Sequence, residues 1–262
     1  MTRKLSPADA LRHAVSSIGT NLPVAFRIAW PWYAILMPVS LSLYFLLALA
    51  TGGKPDSNPG LDLSITLLIG AVAILAASSI AVNWHRYILR DEVPRGIKAL
   101  RLDDVVWRYF GNMLLIMASV MAVLIVIAMP LNLIAVFAQS PGLGLVSTLF
   151  VGVPIAGTLF LRLAIKLPAI ALGRTDFSMR DAWQASEGNN LAIFLVFILN
   201  VLLAVGVIGI VFAIHALLSL FGALIATAAE IMLELAANWI LMIFGITILT
   251  SLYGFFVQHR DF

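Results

Sequence analysis

Long, unbroken runs of apolar residues alternate with short polar segments along this chain. Six of the runs are long enough to cross the hydrocarbon core of a bilayer, which takes ~20 helical residues. In lipid the backbone must satisfy its own hydrogen bonds, which only a helix or a closed barrel achieves. Because the runs are continuously apolar and do not alternate, they predict helices. The six windows are Trp30–Ala50, Leu63–Asn83, Met113–Ala138, Leu143–Ile165, Leu191–Ile214 and Ala236–Val257.

Composition agrees with this pattern. Of the 262 residues, 62% are hydrophobic and 11% are charged, which is more apolar surface than a soluble domain can bury. We therefore predict an all-α integral membrane protein with one transmembrane domain over residues 1–262. The chain has no cysteine, which excludes disulfides, thiol catalysis and cysteine-ligated metals. The residues before the first window are mixed in character, so we expect no cleavable signal peptide.

Lysine and arginine are distributed very unevenly between the two sides that six spans would create. Of the sixteen such residues, Lys54 falls on one side, and the other fifteen fall on the side that bears both termini. Short basic segments stay in the cytoplasm during insertion. The count therefore predicts that both termini are cytoplasmic.

Two stretches outside the windows predict local features. Trp84 and Tyr87 follow the second window, where aromatic side chains form a belt at the membrane surface, and we expect His85 between them to make interfacial hydrogen bonds. Ala216–Leu235 is apolar but carries two glutamates, Glu230 and Glu234. We expect this stretch to form a helix that lies on the outer surface, with both carboxylates facing water.

Three basic-side segments share features that predict an internal repeat. The pattern S-x-x-D-A begins at Ser6 and again at Ser178, where a serine cap with an acid three residues later indicates the start of a helix. The middle segment lacks the serine. The stretch from Asp104 to Gly111 nevertheless has the same length as that from Asp181 to Gly188, and an asparagine follows each glycine, as at many helix ends.

A second spacing supports the repeat. Arg86 precedes Trp107 by 21 residues, and Arg162 precedes Trp183 by the same distance. We therefore predict three hairpins of membrane helices, each preceded by a cytoplasmic interfacial helix. The predicted units are residues 1–96, 97–174 and 175–262. The alternative is a set of ordinary basic linkers between hairpins, without true repetition.

Basic residues one helical turn apart end the second and fourth predicted helices. The ordinary interpretation is that their long side chains reach the headgroups while their stems stay in lipid. The functional interpretation is one shared site that binds anionic lipid of the cytoplasmic leaflet or an acidic segment of a membrane protein partner, with an indole beside each pair. The predicted lipid- or partner-binding residues are Arg86, Arg90, Arg162, Lys166, Trp107 and Trp183.

Other membrane positions predict packing. Asn200 and Asn238 are expected to form hydrogen bonds between helices. Prolines inside helices one, three and four predict kinks, or the broken helices of a transporter. A stripe of small residues on the second helix predicts a face where another helix approaches closely; it comprises Gly70, Ala73, Ala77 and Ala81.

Signatures of enzymes are absent from the sequence. It contains no metalloprotease, phosphate-loop, serine-hydrolase or dinucleotide motif. The spacing of His215, Glu230 and Glu234 matches no metal site. No carboxylate lies deep in a predicted membrane helix, so a proton relay has no carrier. We expect no catalytic residue, no cofactor and no metal.

Residues after the fourth window carry a family resemblance. Arg162, Leu167-Pro168-Ala169 and Gly173, with the following segment Ser178–Asn189, resemble a broad group of bacterial inner-membrane proteins. The group includes the YciC-like family and the membrane domain found beside glycerophosphodiester phosphodiesterases, and Trp84-His85-Arg86-Tyr87 is similar to its second-helix exit. The resemblance implies six helices with cytoplasmic ends in the bacterial inner membrane. It implies no catalysis, because the phosphodiesterase domain is missing from these residues.

Two functional hypotheses follow from the sequence. The first is a non-enzymatic scaffold, assembly factor or accessory subunit that binds anionic lipid at its basic side. The alternative is a transporter or permease for a lipid-like or small solute, and a membrane enzyme that acts on lipid comes third. A water-filled cavity at the midplane would favour transport, whereas a closed, packed core would favour the scaffold. Nucleic acid is not an expected partner.

Overall fold

The computed structural model describes residues 3–52, 58–94 and 96–261, and this part of the chain is helical without strands. Six of its helices are long and apolar enough to span a membrane, which confirms the predicted number. A π-helical turn, Thr148–Gly152, joins α5 to α6, so that α5 to α7 form the fourth span. The α-helices are α1 (Pro7–Thr20), α2 (Leu22–Ala50), α3 (Pro59–Arg90), α4 (Asp104–Phe137), α5 (Pro141–Ser147), α6 (Val153–Ala164), α7 (Lys166–Ala171), α8 (Met179–Ala185), α9 (Asn190–Ser219) and α10 (Ala223–Phe256).

Serine caps start α1 and α8, as the sequence predicts. The hydroxyl of Ser6 accepts a hydrogen bond from the backbone N–H of Asp9 at 3.3 Å. Ser178 accepts the equivalent bond from Asp181 at 3.1 Å, and the Asp181 carboxylate accepts one from the Ser178 N–H at 2.7 Å, which completes a capping box. Hydrogen bonds from Ser178 lower the pKa of Asp181, so the carboxylate that closes the cap is ionised at neutral pH.

The middle interfacial helix is not a separate element. α4 runs without interruption from Asp104 to Phe137, and Gly111 lies inside it. Gly188 does end its segment in the left-handed conformation, with φ of 75°. A glycine inside a helix costs only ~1 kcal/mol, which the following apolar span readily outweighs. The Gly-Asn pair at Gly188 therefore follows the end of α8, whereas α4 continues through the pair at Gly111.

The helix predicted on the outer surface is also absent. Ala216–Leu235 is divided between the end of α9, a turn and the start of α10. Gly222 makes the turn possible because its φ of 121° is open only to glycine. Glu230 and Glu234 consequently lie on the sixth spanning helix.

The helix ends that carry most of the basic residues meet at one end of the bundle, which we call the basic end. It comprises α1, α7, α8, the ends of α3 and α10, and the starts of α4 and α9. Lys4 bonds the carbonyl of Gly188 at 2.9 Å, and the Tyr87 hydroxyl bonds Asn21 at 2.6 Å. The opposite end, where α2 ends and α10 begins, is called the far end.

Packing is densest at the basic end. Leu167 and Pro168 lie inside α7 and are buried, and α7 packs against α3, α4 and α10. Trp84 is completely buried and does not belong to a surface belt. The belt prediction is therefore wrong for this residue, because its ring belongs to the packed core of the bundle.

The predicted small-residue stripe is packed unevenly. Nothing lies within 4 Å of a Cβ built on Gly70. Ala77 lines two cavities, whereas Ala81 is buried in the core of the bundle. At Gly157 of α6 a neighbouring side chain lies against the backbone, because an added Cβ would overlap the ring of Phe197 from α9.

Candidate functional site

Each of the three guanidinium nitrogens of Arg162 donates a hydrogen bond inside the protein at the basic end. Its side chain donates to the Ser186 hydroxyl at 3.0 Å, to the Asn190 amide oxygen at 2.6 Å and to the Trp183 carbonyl at 2.8 Å. The guanidinium also lies over the Trp183 indole, with 3.5 Å between Cζ and the ring centroid. One side chain of α6 thus fixes α8 and the start of α9.

An open groove borders this arginine between α6, α8 and α9. Its volume is about 630 Å³, and we call it the Trp183 groove. Arg162, Trp183 and Asn190 form its polar part. The remaining walls are mainly apolar side chains of α6 and α9, among them Ile155 and Phe194. The groove is therefore polar toward the basic end and apolar along the membrane helices.

The second basic pair binds a different part of the protein. Arg86 donates to the carbonyl of Ala171 at 3.2 Å, and Arg90 donates to that of Leu172 at 2.7 Å. These carbonyls close α7, where backbone oxygens lack helical partners and cations are favoured. Arg86 also pairs with Glu92 at 2.6 Å. The two arginines of α3 thus cap a buried helix.

Lys166 and Trp107 complete the predicted set. Lys166 is half-buried and makes no hydrogen bond or ion pair with any described residue. Trp107 is 51% exposed and packs edge-on against Phe110 of its own helix. An indole therefore lies on Arg162, as predicted, whereas the ring contact of Trp107 is with Phe110. Whether the six residues bind lipid stays a prediction.

Sequence reasoning missed a buried polar cluster that joins three helices. His85 of α3 is fully buried, with Nδ1 2.8 Å from the Thr250 hydroxyl and Nε2 3.2 Å from the Tyr109 hydroxyl. Thr250 donates its own proton to the Ile246 carbonyl at 2.9 Å. Thr250 therefore accepts from Nδ1–H, and Tyr109 donates to Nε2, which assigns a neutral tautomer. The clue in the sequence was a histidine followed by arginine at a helix end, which equally suits an interfacial residue.

Two further cavities lie within the spanning part of the bundle. The central cavity, about 410 Å³, lies among α3, α4, α6, α9 and α10 and is mainly apolar, with Tyr109 and Asn200 in its wall. The second, about 630 Å³, lies between α2, α3 and α10 and contains Glu234, so we call it the Glu234 cavity. Asn238 forms the predicted bond between helices there, accepting from the Tyr33 hydroxyl at 2.6 Å. Both volumes fall in the range of small-molecule sites.

Neither protein-family models, nor curated proteins, nor solved structures match this chain. The resemblance to bacterial inner-membrane proteins therefore stays a prediction. Function has to be argued from the grooves and cavities themselves.

Proposed function

We propose that the protein is a non-enzymatic multi-pass membrane protein that works as a scaffold or accessory subunit and holds an anionic lipid in the Trp183 groove. The groove itself is the observation that carries this proposal. A cation and an indole lie at its basic end, and apolar side chains continue along α6 and α9. A phospholipid has the same order of chemistry, with an anionic headgroup followed by acyl chains.

Arg162 is the cation in the wall of the groove, and we propose Lys166 as a second cation for the headgroup. Arg162 is held in place by its internal bonds and keeps its positive charge beside the groove. Lys166 follows one turn later and has no internal partner among the described residues, so its ammonium group is available to a headgroup. A basic residue near an anionic leaflet gains ~1 kcal/mol from the surface potential.

The basic end supports a location and an orientation. Under this proposal it faces the cytoplasm of a bacterium, and the membrane is the inner one. α1 and α8 then lie at headgroup level, and the exposed side chain of Val15 on α1 contacts lipid. The resemblance of the Arg162–Asn189 segment to bacterial inner-membrane proteins agrees with this placement.

One observation favours a permease as the second candidate. The central cavity and the Glu234 cavity share three lining residues, Ile74, Ala77 and Met242, so only one layer of side chains separates them. The fourth span is also interrupted by a π turn just before Pro154. Interrupted helices beside a midplane cavity are typical of transporters.

Filling the groove tests the lipid proposal directly. Ile155 lines the groove and is 48% exposed, so Ile155→Trp adds an indole there without disturbing buried residues. We expect the purified variant to lose most of the anionic lipid that the native protein retains in native mass spectrometry. Leu202→Trp on α9 is the matched control, because Leu202 is similarly exposed but does not line the groove. Equal lipid retention in both variants would contradict the proposal.

Removing one charge tests the preference for an anionic headgroup. Lys166→Gln should reduce the preference for phosphatidylglycerol over phosphatidylethanolamine by about fivefold, the equivalent of ~1 kcal/mol. The readout is the ratio of the two lipids bound from an equimolar mixture. Arg180→Gln removes the same charge from an exposed position on α8 and should leave the ratio unchanged. A ratio that falls equally in both variants would indicate a general surface effect and no site.

A further inference from the structure

Glu234 is a carboxylate inside the spanning part of the bundle. Thr250 of the same helix bonds His85 at the basic end of the bundle. Glu234 precedes Thr250 by sixteen residues, which corresponds to roughly 24 Å along a helix. The hydrocarbon core is about 30 Å thick. Glu234 lies nine residues after Ile225, the first residue of the sixth span Ile225–Phe256, and so lies within the length of that span.

The two glutamates of α10 differ in their partners. Glu230, one turn nearer the far end, lies 3.1 Å from Nδ1 of His215 on α9. Glu234 has no hydrogen bond or ion pair with any residue that the structure describes. An ionisable group at membrane depth is costly unless it is paired or serves a function. The carboxylate of Glu234 thus needs a partner that the described part of the chain does not supply.

The cavity around Glu234 has walls of a particular chemistry. Alanine and isoleucine side chains of α3 form one wall, and α2 contributes two tyrosines, Tyr33 and Tyr44. The Tyr33–Asn238 bond ties α2 to α10 at one end of the cavity. The two helices run in opposite directions. Met37, one turn after Tyr33 on α2, therefore lies at about the same height as Glu234, one turn before Asn238 on α10. Glu234 is exposed at the open side of this cavity, and the other polar groups of the wall are hydroxyls of α2 and the amide of Asn238.

These walls discriminate between possible occupants. A neutral acyl chain would leave the carboxylate unpaired in an apolar environment. A metal ion would need more oxygen ligands, and the described residues contain no group of three His, Cys, Asp or Glu that could hold one. A large organic cation spreads its charge, sheds water easily, and interacts with both carboxylates and tyrosine rings.

We propose that the Glu234 cavity binds a hydrophobic organic monocation, with the Glu234 carboxylate as its counter-ion. The cavity shares no lining residue with the Trp183 groove. The site is therefore independent of the proposed lipid site, and either proposal can fail without the other.

A pair of probes of equal shape and opposite charge tests the site. Tetraphenylphosphonium is a hydrophobic monocation, and tetraphenylborate is its anionic counterpart. The full chain in zwitterionic lipid nanodiscs should bind tetraphenylphosphonium in equilibrium dialysis and should bind tetraphenylborate no more than empty nanodiscs do. Equal protein-dependent binding of both ions would overturn the proposal.

Three variants identify the counter-ion. Glu234→Gln keeps the shape of the side chain and should weaken tetraphenylphosphonium binding by at least about tenfold, because the cation then lacks its partner. Glu230→Gln removes the same charge one turn away and should change affinity by no more than about twofold. Glu234→Asp keeps the charge and should retain part of the affinity.

Folding of the variants is followed by melting of the intrinsic tryptophan fluorescence. If Glu234→Gln melts like the native protein and binds the cation equally well, the proposal is wrong. If Glu234→Gln is unstable, the comparison of Glu234→Asp with Glu230→Gln decides. If Glu230→Gln then loses more affinity for tetraphenylphosphonium than Glu234→Asp does, the assignment of Glu234 as the counter-ion is wrong.

Discussion

Arg162 illustrates how a charged side chain is accommodated inside an apolar bundle. It is only 4% exposed, and its three donor contacts reach acceptors on α8, on α9 and in the segment between them. The flat face of the guanidinium lies on an indole, which a compact ammonium group would not match as well. The arginine therefore determines where α8 and the wall of the Trp183 groove lie.

Arg162→Lys should destabilise the protein although it keeps the charge. A lysine cannot reproduce the planar fork, so acceptors of α8 and α9 lose their partner, and we expect a loss of about 3 kcal/mol in the free energy of unfolding. Unfolding in mixed micelles with increasing dodecyl sulfate measures this difference. Arg12→Gln, at an exposed position of α1, should change stability by less than about 0.5 kcal/mol. If Arg162→Lys has the same free energy of unfolding as the native protein, these bonds make no net contribution to stability.

The membrane helices pack closely at single points and leave gaps elsewhere. Gly157 lets the ring of Phe197 lie directly on the backbone of α6. Phe197 in turn forms part of the wall of the central cavity. Ala77 of α3, within the predicted packing stripe, instead borders that cavity and the Glu234 cavity. The position of large side chains on neighbouring helices therefore decides which small residue becomes a contact.

Gly157→Ala should separate α6 from α9. The new methyl group overlaps the Phe197 ring, so we expect a loss of about 1–3 kcal/mol in the free energy of unfolding. Gly206→Ala on α9 is the matched control, because nothing lies within 4 Å of its added Cβ. The control should stabilise the helix by roughly 0.5–1 kcal/mol. Chemical unfolding of both variants checks the expected opposite signs, and destabilisation of the same size in both would contradict the assigned contact.

At the scale of the whole molecule, the two ends of the bundle differ in construction. The basic end is dense, with α7 buried and its terminal carbonyls capped by Arg86 and Arg90. Toward the far end many apolar side chains of the spanning helices are exposed, and the Glu234 cavity lies between the middle parts of α2 and α3 and the first half of α10. By the positive-inside rule, the fifteen basic residues on the side of the termini predict that the basic end is cytoplasmic.

Single cysteines test this topology without interference, because the chain has none of its own. Lys54→Cys, in the segment between α2 and α3, should react with a membrane-impermeant maleimide in intact cells. Arg180→Cys on α8 should react only after the membrane is permeabilised. Both variants must first be shown to insert. Labelling of the two positions from the same side would reject the six-span topology.

Sequence alone determined the features that depend on local chemistry. The lengths of the apolar runs fix six spans because any shorter helix would leave backbone groups unsatisfied in lipid. The caps at Ser6 and Ser178 were equally predictable, since each involves residues only three positions apart. A hydrogen bond from Asn238 to another helix was also predictable, because a polar residue in an apolar helix needs a partner. The identity of that partner, Tyr33, was not predictable.

Tertiary structure decided everything that depends on which helices meet. His85 and Thr250 are 165 residues apart, and no local pattern marks them as partners. The same holds for Arg86 and Arg90, whose acceptors belong to the end of α7, and for Glu234, whose depth depends on where α10 begins. A periodic apolar sequence specifies that a helix enters lipid, whereas the register between helices is set by side-chain packing and by hydrogen bonds between distant residues, which the sequence pattern leaves open.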